Sequence, residues 1–133
     1  MAAIGDQSGR RIAIIGAGFS GSLLALHLLR RCRPEDRIYL VERNQNFGRG
    51  LAYATGNPNH LLNVRAGNMS AFPDEPDHFV RWLQNLPADQ RAEIGEPTTS
   101  TLGASTFVPR RVYGSYIQEL LGDKIWREGQ SHN

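Results

Sequence analysis

The sequence is poor in the features that make many sites readable. Its single cysteine, Cys32, cannot form an internal disulfide, and it has no Cys or His partner at zinc-ligand spacing. The histidines His27, His60, His78 and His132 are scattered along the chain, which gives no metal cluster. Lysine is almost missing: 14 of the 15 basic residues are arginine, and 13 acidic residues bring the formal net charge to +2. The pairs Arg10-Arg11, Arg30-Arg31 and Arg110-Arg111 stand far apart, without the clustering a nucleic-acid surface needs. There is no internal repeat, no low-complexity tract, no nucleophile triad and no general base with a persuasive partner. The one uncharged run, Ile12 to Leu29, is 18 residues long with His27 counted neutral. It contains three glycines, switches from Ile to Leu and Ala midway, and ends at Arg30-Arg31 without a small-residue cleavage signature. A membrane span or signal segment is therefore not expected, and a reducing cytoplasmic setting is the default.

What is present is the composition of a folded domain. At 133 residues, 40% hydrophobic and 21% charged, the chain fits one domain that buries roughly two-thirds of its unfolded surface. Residues 1–9 are polar and are expected to be a flexible start. Arg11-Ile-Ala-Ile-Ile15 reads as a short buried strand, and Phe19 to about Arg31 as a helix that stops before Pro34. Ile38-Tyr-Leu-Val-Glu42 reads as a second strand, so the first third of the chain is a βαβ unit. Asp74 is expected to cap a helix over 78–85, whose Phe79, Trp82, Leu83 and Leu86 fall on one face. Residues 87–106 read as a polar loop. A last helix is expected from Arg110 to Leu121, ended by Gly122, with Tyr113, Tyr116, Ile117 and Leu120 on one face. The segment 122–133 is expected to be a flexible tail.

The chemistry sits in the first turn of this βαβ unit. Gly16, Gly18 and Gly21 have the G-x-G-x-x-G spacing between a strand and a helix, and Gly16-Ala17-Gly18-Phe19-Ser20-Gly21 would cradle a pyrophosphate. The free N–H groups and positive dipole of the helix start add to the pull on the anion. Glu42 follows Gly21 by 21 residues, where a carboxylate that accepts ribose hydroxyls is expected. These residues point to a dinucleotide, and the glycine motif alone does not separate FAD from NAD. The fold class expected is α/β, a partial Rossmann-like dinucleotide-binding domain over 10–121 with added helices. Only two parallel strands are clear, fewer than a doubly wound sheet ordinarily has.

The blocks Gly48-Arg-Gly-Leu-Ala-Tyr-Ala-Thr55, Pro58-Asn-His-Leu-Leu-Asn-Val64, Met69-Ser-Ala-Phe-Pro-Asp74 and Phe107-Val-Pro-Arg-Arg-Val-Tyr-Gly-Ser-Tyr116 resemble the bacterial FAD-NAD(P)-binding proteins. More distantly, they are similar to flavin-dependent N-hydroxylating monooxygenases. The resemblance implies a flavoprotein oxidoreductase with FAD as cofactor and NAD(P)H as co-substrate of a complete enzyme. Members are several times longer, so it also implies an N-terminal FAD-binding portion that is not active alone and lacks C-terminal domains. Carried onto this chain, the glycine loop holds the FAD pyrophosphate, Glu42 holds the adenosine ribose, and Arg43 packs on the adenine. Gly48, Gly50, Tyr53, His60 and Asn63 fall on the flavin side, with an Ω-loop stapled by its own side chains as the plainer reading. Two other functions stay open: a non-catalytic module that self-associates through its unfinished sheet, and an NAD-binding domain of ordinary dehydrogenase type.

Overall fold

A computed structural model of the chain describes residues 9–44, 47–92, 94 and 102–129. The elements run β1 (Arg11–Ile15), α1 (Phe19–Leu29), β2 (Arg37–Val41), α2 (Gly50–Tyr53), a 3-10 turn (Ala66–Asn68), α3 (His78–Gln84), α4 (Ala88–Ala92) and α5 (Arg110–Gly129). β1 and β2 pair in parallel, with Arg11 opposite Arg37, Ala13 opposite Tyr39 and Ile15 opposite Val41. The pairing extends past both strand ends, since Arg37 N–H donates to the Arg10 carbonyl and Gly16 N–H to the Val41 carbonyl, each at 2.8 Å. A βαβ unit with a two-stranded sheet is therefore present, and the mixed helix-and-strand architecture fits an α/β dinucleotide-binding fold.

The sheet has two unlike faces. α1 packs on one of them with Ser22, Ala25 and Leu26, whose i, i+3, i+4 spacing forms a buried stripe. The other face is bare among the described residues: Ile15 is 79% exposed, Tyr39 50% and Val41 48%. The turn between α1 and β2 is fixed by Asp36, whose carboxylate is inaccessible to solvent. It accepts from the Arg10 and Arg33 backbone N–H groups at 2.8 and 3.0 Å and pairs with both guanidiniums. Those donors hold its carboxyl far below the usual carboxylate range.

The main core lies on the helical side. Phe79 and Leu83 of α3 and Tyr113, Tyr116 and Ile117 of α5 are fully buried, with Phe79 edge-on to Tyr113 at 5.0 Å. The polar ends of the aromatics find partners: Tyr116 Oη lies 2.7 Å from His78 Nδ1, and the Trp82 indole N–H donates to Glu119 at 2.9 Å. Two irregular segments close the core by running antiparallel. Leu62 N–H donates to the Val108 carbonyl, Ala66 N–H to Thr106 and Arg110 N–H to His60, at 2.8–2.9 Å.

Several expectations need correcting. Asp74 does not cap α3; the chain enters through Asp77, and Asp74 pairs with Arg30 at 3.3 Å. The loop expected at 87–106 contains the short helix α4. Gly122 does not end the last helix, which continues to Gly129 because glycine at an exposed helical position costs only about 1 kcal/mol relative to alanine. The tail expected from residue 122 is thus helical as far as it is described. Residues 1–8 and 130–133, the rest of the expected flexible ends, lie outside the described residues.

Candidate functional site

The glycine loop joins β1 to α1, and its backbone explains its composition. Gly16 has φ +98°, a left-handed conformation that a side chain would strain. A Cβ at Gly21 would strike the Gly16 carbonyl, so only glycine lets α1 start this close to the strand. Ser22 anchors the loop from below: it is buried, and its hydroxyl donates to the Ala17 carbonyl at 3.1 Å. The Gly18 N-cap has no side-chain cap hydrogen bond. The first N–H groups of α1 therefore face outward without the usual Ser, Thr or Asp oxygen.

Glu42 completes the loop. Its Oε2 accepts from Ala17 N–H at 2.9 Å and its Oε1 from Asn44 N–H at 3.0 Å. These donors, Asn44 first, hold the carboxyl below the ordinary carboxylate range, so it carries a negative charge at neutral pH. Each carboxylate oxygen keeps further lone-pair capacity for a hydroxyl donor. The acid at the end of β2 is thus held against the glycine loop by direct hydrogen bonds.

A third segment reaches the same place. Gly48 N–H donates to the Ala17 carbonyl at 2.8 Å, which docks the chain before α2 on the loop. Gly50, at φ +54°, then lies so close that a Cβ there would sit 3.2 Å from the Gly18 Cα. Between them opens a cleft of about 400 Å³ lined by Gly16, Gly18, Ser20, Gly21, Arg49 and Gly50, among others. Nothing lies within 4 Å of a Cβ placed on Gly16, and one on Gly18 meets only the Gly50 Cα at 3.7 Å. An open backbone surface beside uncapped N–H groups fits a phosphate chain, and a fixed carboxylate fits the ribose of a dinucleotide.

The other expected residues distribute differently. Phe19 lines the cleft but also packs on Tyr53 at 5.4 Å, and Tyr53 packs on Tyr113 at 5.0 Å. Tyr53 therefore joins the aromatic core, and burial pushes its hydroxyl pKa up. Arg43 is exposed just beyond Glu42. His60 and Asn63 are exposed and do not line the cleft; the His60 ring bonds Thr55 Oγ1 at 2.8 Å. Two contributors went unnoticed in the sequence. Arg49 is the one charge between the close-approach glycines 48 and 50, and Ser22 is the one polar residue on the buried stripe of α1; each irregularity was visible.

Among the described residues no group of His, Cys, Asp and Glu could hold a metal, and no helix is long and apolar enough to cross a membrane. The architecture is of α/β type, with a cleft at the glycine loop beside a fixed carboxylate. The profile of the FAD-NAD(P)-binding family matches residues 13–131, nearly the whole chain, and the chain belongs to that family. Its cofactor class is thereby a flavin or nicotinamide dinucleotide. No curated protein and no solved structure matches it.

Proposed function

We propose that the chain is the FAD-binding portion of a flavin-dependent oxidoreductase and holds the ADP part of FAD at the Gly16–Gly21 loop. The observation that carries this reading is the convergence of three segments: the uncapped start of α1, the Glu42 carboxylate 2.9 Å from Ala17 N–H, and Gly50 against Gly18. In this reading the N–H groups of Gly18, Phe19 and Ser20 bind the pyrophosphate, and Glu42 accepts the ribose hydroxyls. The Glu42 charge repels a 2′-phosphate and disfavours NADP at this loop. The flavin, when bound, supplies the electron transfer, and the residues of this chain bind and orient it. NAD(P)H would be the reductant in a longer protein, and the more distant resemblance to flavin-dependent N-hydroxylating monooxygenases suggests one reaction type. A Rossmann-type arrangement of the whole domain belongs to the same proposal.

FAD and NAD are titrated in parallel into the purified chain, with flavin fluorescence and calorimetry as readouts. Tighter binding of FAD, weakened at least tenfold by Gly18→Val, is expected. Gly18 has φ −71°, so valine fits the backbone there while its methyls fill the cleft. Preference for NAD would replace this reading with that of an ordinary nicotinamide-binding domain. A second reading, a non-catalytic module pairing through its sheet, draws support from the bare face of Ile15, Tyr39 and Val41; a monomer in sedimentation at micromolar concentration would remove it.

A further inference from the structure

Arg49 is tied to α5, while its two neighbours are tied to the glycine loop. Gly48 N–H donates to the Ala17 carbonyl at 2.8 Å, and a Cβ on Gly50 would sit 3.2 Å from the Gly18 Cα. The Arg49 side chain lies over α5. Its Nε donates to Gln118 Oε1 at 2.9 Å and its Nη2 to Ser115 Oγ at 3.3 Å, two groups on one face of the helix. The approach is close along this contact. A Cβ on Gly114 would meet the Tyr53 carbonyl oxygen at 2.8 Å and Arg49 Cγ at 3.0 Å, and one on Gly48 would meet Gln118 Cγ at 3.1 Å. Gly48 and Gly50 have φ +86° and +54°. Glycine visits such conformations freely and many others besides, so local preference does not fix the backbone here. The side chain between them does.

We infer that Arg49 is a positioning residue of the glycine-loop cleft. Its grip on Gln118 and Ser115 holds Gly48 and Gly50 against Ala17 and Gly18, and so keeps the third wall of the cleft closed. α5 thereby helps shape a cleft that, among the described residues, it does not line. That a dinucleotide profits from the closed wall rests on the function proposed for the loop; the grip itself belongs to the unliganded chain. A ligand that needs the wall closed binds in proportion to the fraction of molecules in which it is closed.

Gly48 N–H reports the wall directly, so its hydrogen exchange is followed by NMR in the full chain. Arg49→Met and Gln118→Met keep the aliphatic stems and remove the hydrogen bonds. Each should speed Gly48 exchange, Arg49→Met about tenfold, the weight of a hydrogen bond to a charged group. The double variant should be no faster than Arg49→Met, because both changes break the same grip. Gln118→Glu keeps the acceptor and should exchange no faster than the parent. Leu62 N–H, bonded to the Val108 carbonyl outside the wall, should keep its parent rate throughout. Saturating FAD should slow Gly48 exchange in the parent, and Arg49→Met should weaken FAD by no more than it speeds that exchange. An unchanged Gly48 rate in Arg49→Met or Gln118→Met, an equal rise at Leu62, or additive effects in the double variant would each overturn the inference. So would FAD binding that leaves Gly48 exchange untouched, or a loss of FAD affinity larger than the exchange effect, which marks direct contact between Arg49 and the ligand. A chain that binds neither FAD nor NAD removes only the function proposed for the loop, and the exchange rates of the unliganded variants then decide the grip.

Discussion

The βαβ half and the helical half of this molecule are built on opposite terms. The first half carries the glycine loop and Glu42, yet its sheet leaves Ile15, Tyr39 and Val41 largely in water. The second half carries the continuous core, in which Phe79, Tyr113 and Tyr116 are buried ring against ring. In the proposed function, ligand binding draws on backbone conformation in one half, while apolar burial comes from side chains in the other. α1 joins them by packing on α5 as well as on the sheet. Stability and recognition are therefore separable by mutation.

The largest effect should come from the helical core. Phe79→Ala removes a fully buried ring and should cost about 3–5 kcal/mol in urea unfolding, whereas Ile15→Ser on the bare sheet face should stay within about 0.5 kcal/mol. Equal losses would break the comparison. Next come the glycines, where one loop should show both behaviours. Gly21→Ala, which drives a Cβ into the Gly16 carbonyl, should cost about 1–3 kcal/mol by overpacking. Gly18→Val should leave the unfolding midpoint near the parent's.

Asp36→Asn sharpens the contrast inside the βαβ half. Its carboxyl is held well below the ordinary range by Arg10 and Arg33, so its contribution is full above the unfolded pKa of about 3.9 and fades as pH falls below that. The variant should melt lower at pH 7 and lose less than the parent between pH 5 and pH 3. The smallest effect belongs to the helical half. Burial lowers the His78 pKa, so the unfolded chain takes up that proton first and stability declines as pH drops below about 6.5. At the other end, burial pushes its partner Tyr116 up to about 12, and stability declines as pH climbs from about 10 toward that value. Melting curves of His78→Asn should be flatter between pH 7 and pH 5 than the parent's.

The two halves were also unequally legible. β1, α1 and β2 follow from period and breakers, and the glycine spacing located the cleft because the loop's chemistry is local. The buried face of α3 and α5 was readable at Phe79, Leu83, Tyr113, Tyr116 and Ile117, because 3.6-residue periodicity survives in sequence. The pairing of Leu62 with Val108, and of Ala66 with Thr106, was not readable, since these residues lie over 35 positions apart with no pattern to announce the partner. The same holds for His60 and Tyr53: their residue types suit a cofactor contact, but side-chain direction is set by tertiary packing. Tyr53 is drawn to Phe19 and Tyr113, and His60 to Thr55.

The register of the sheet has a bearing on how the protein behaves in solution. On the bare face, the apolar pairs Ala13–Tyr39 and Ile15–Val41 are followed at one end by Arg11 directly opposite Arg37. Two like charges directly opposite each other weaken their own strand pairing slightly, and the Arg37 guanidinium turns to the Pro34 and Asp36 carbonyls at 3.0 and 3.1 Å. Added salt shortens the reach of such charges from about 10 Å at 0.1 M to about 3 Å at 1 M, so the ionic strength of the buffer is the variable to hold fixed when the sedimentation of this chain is read.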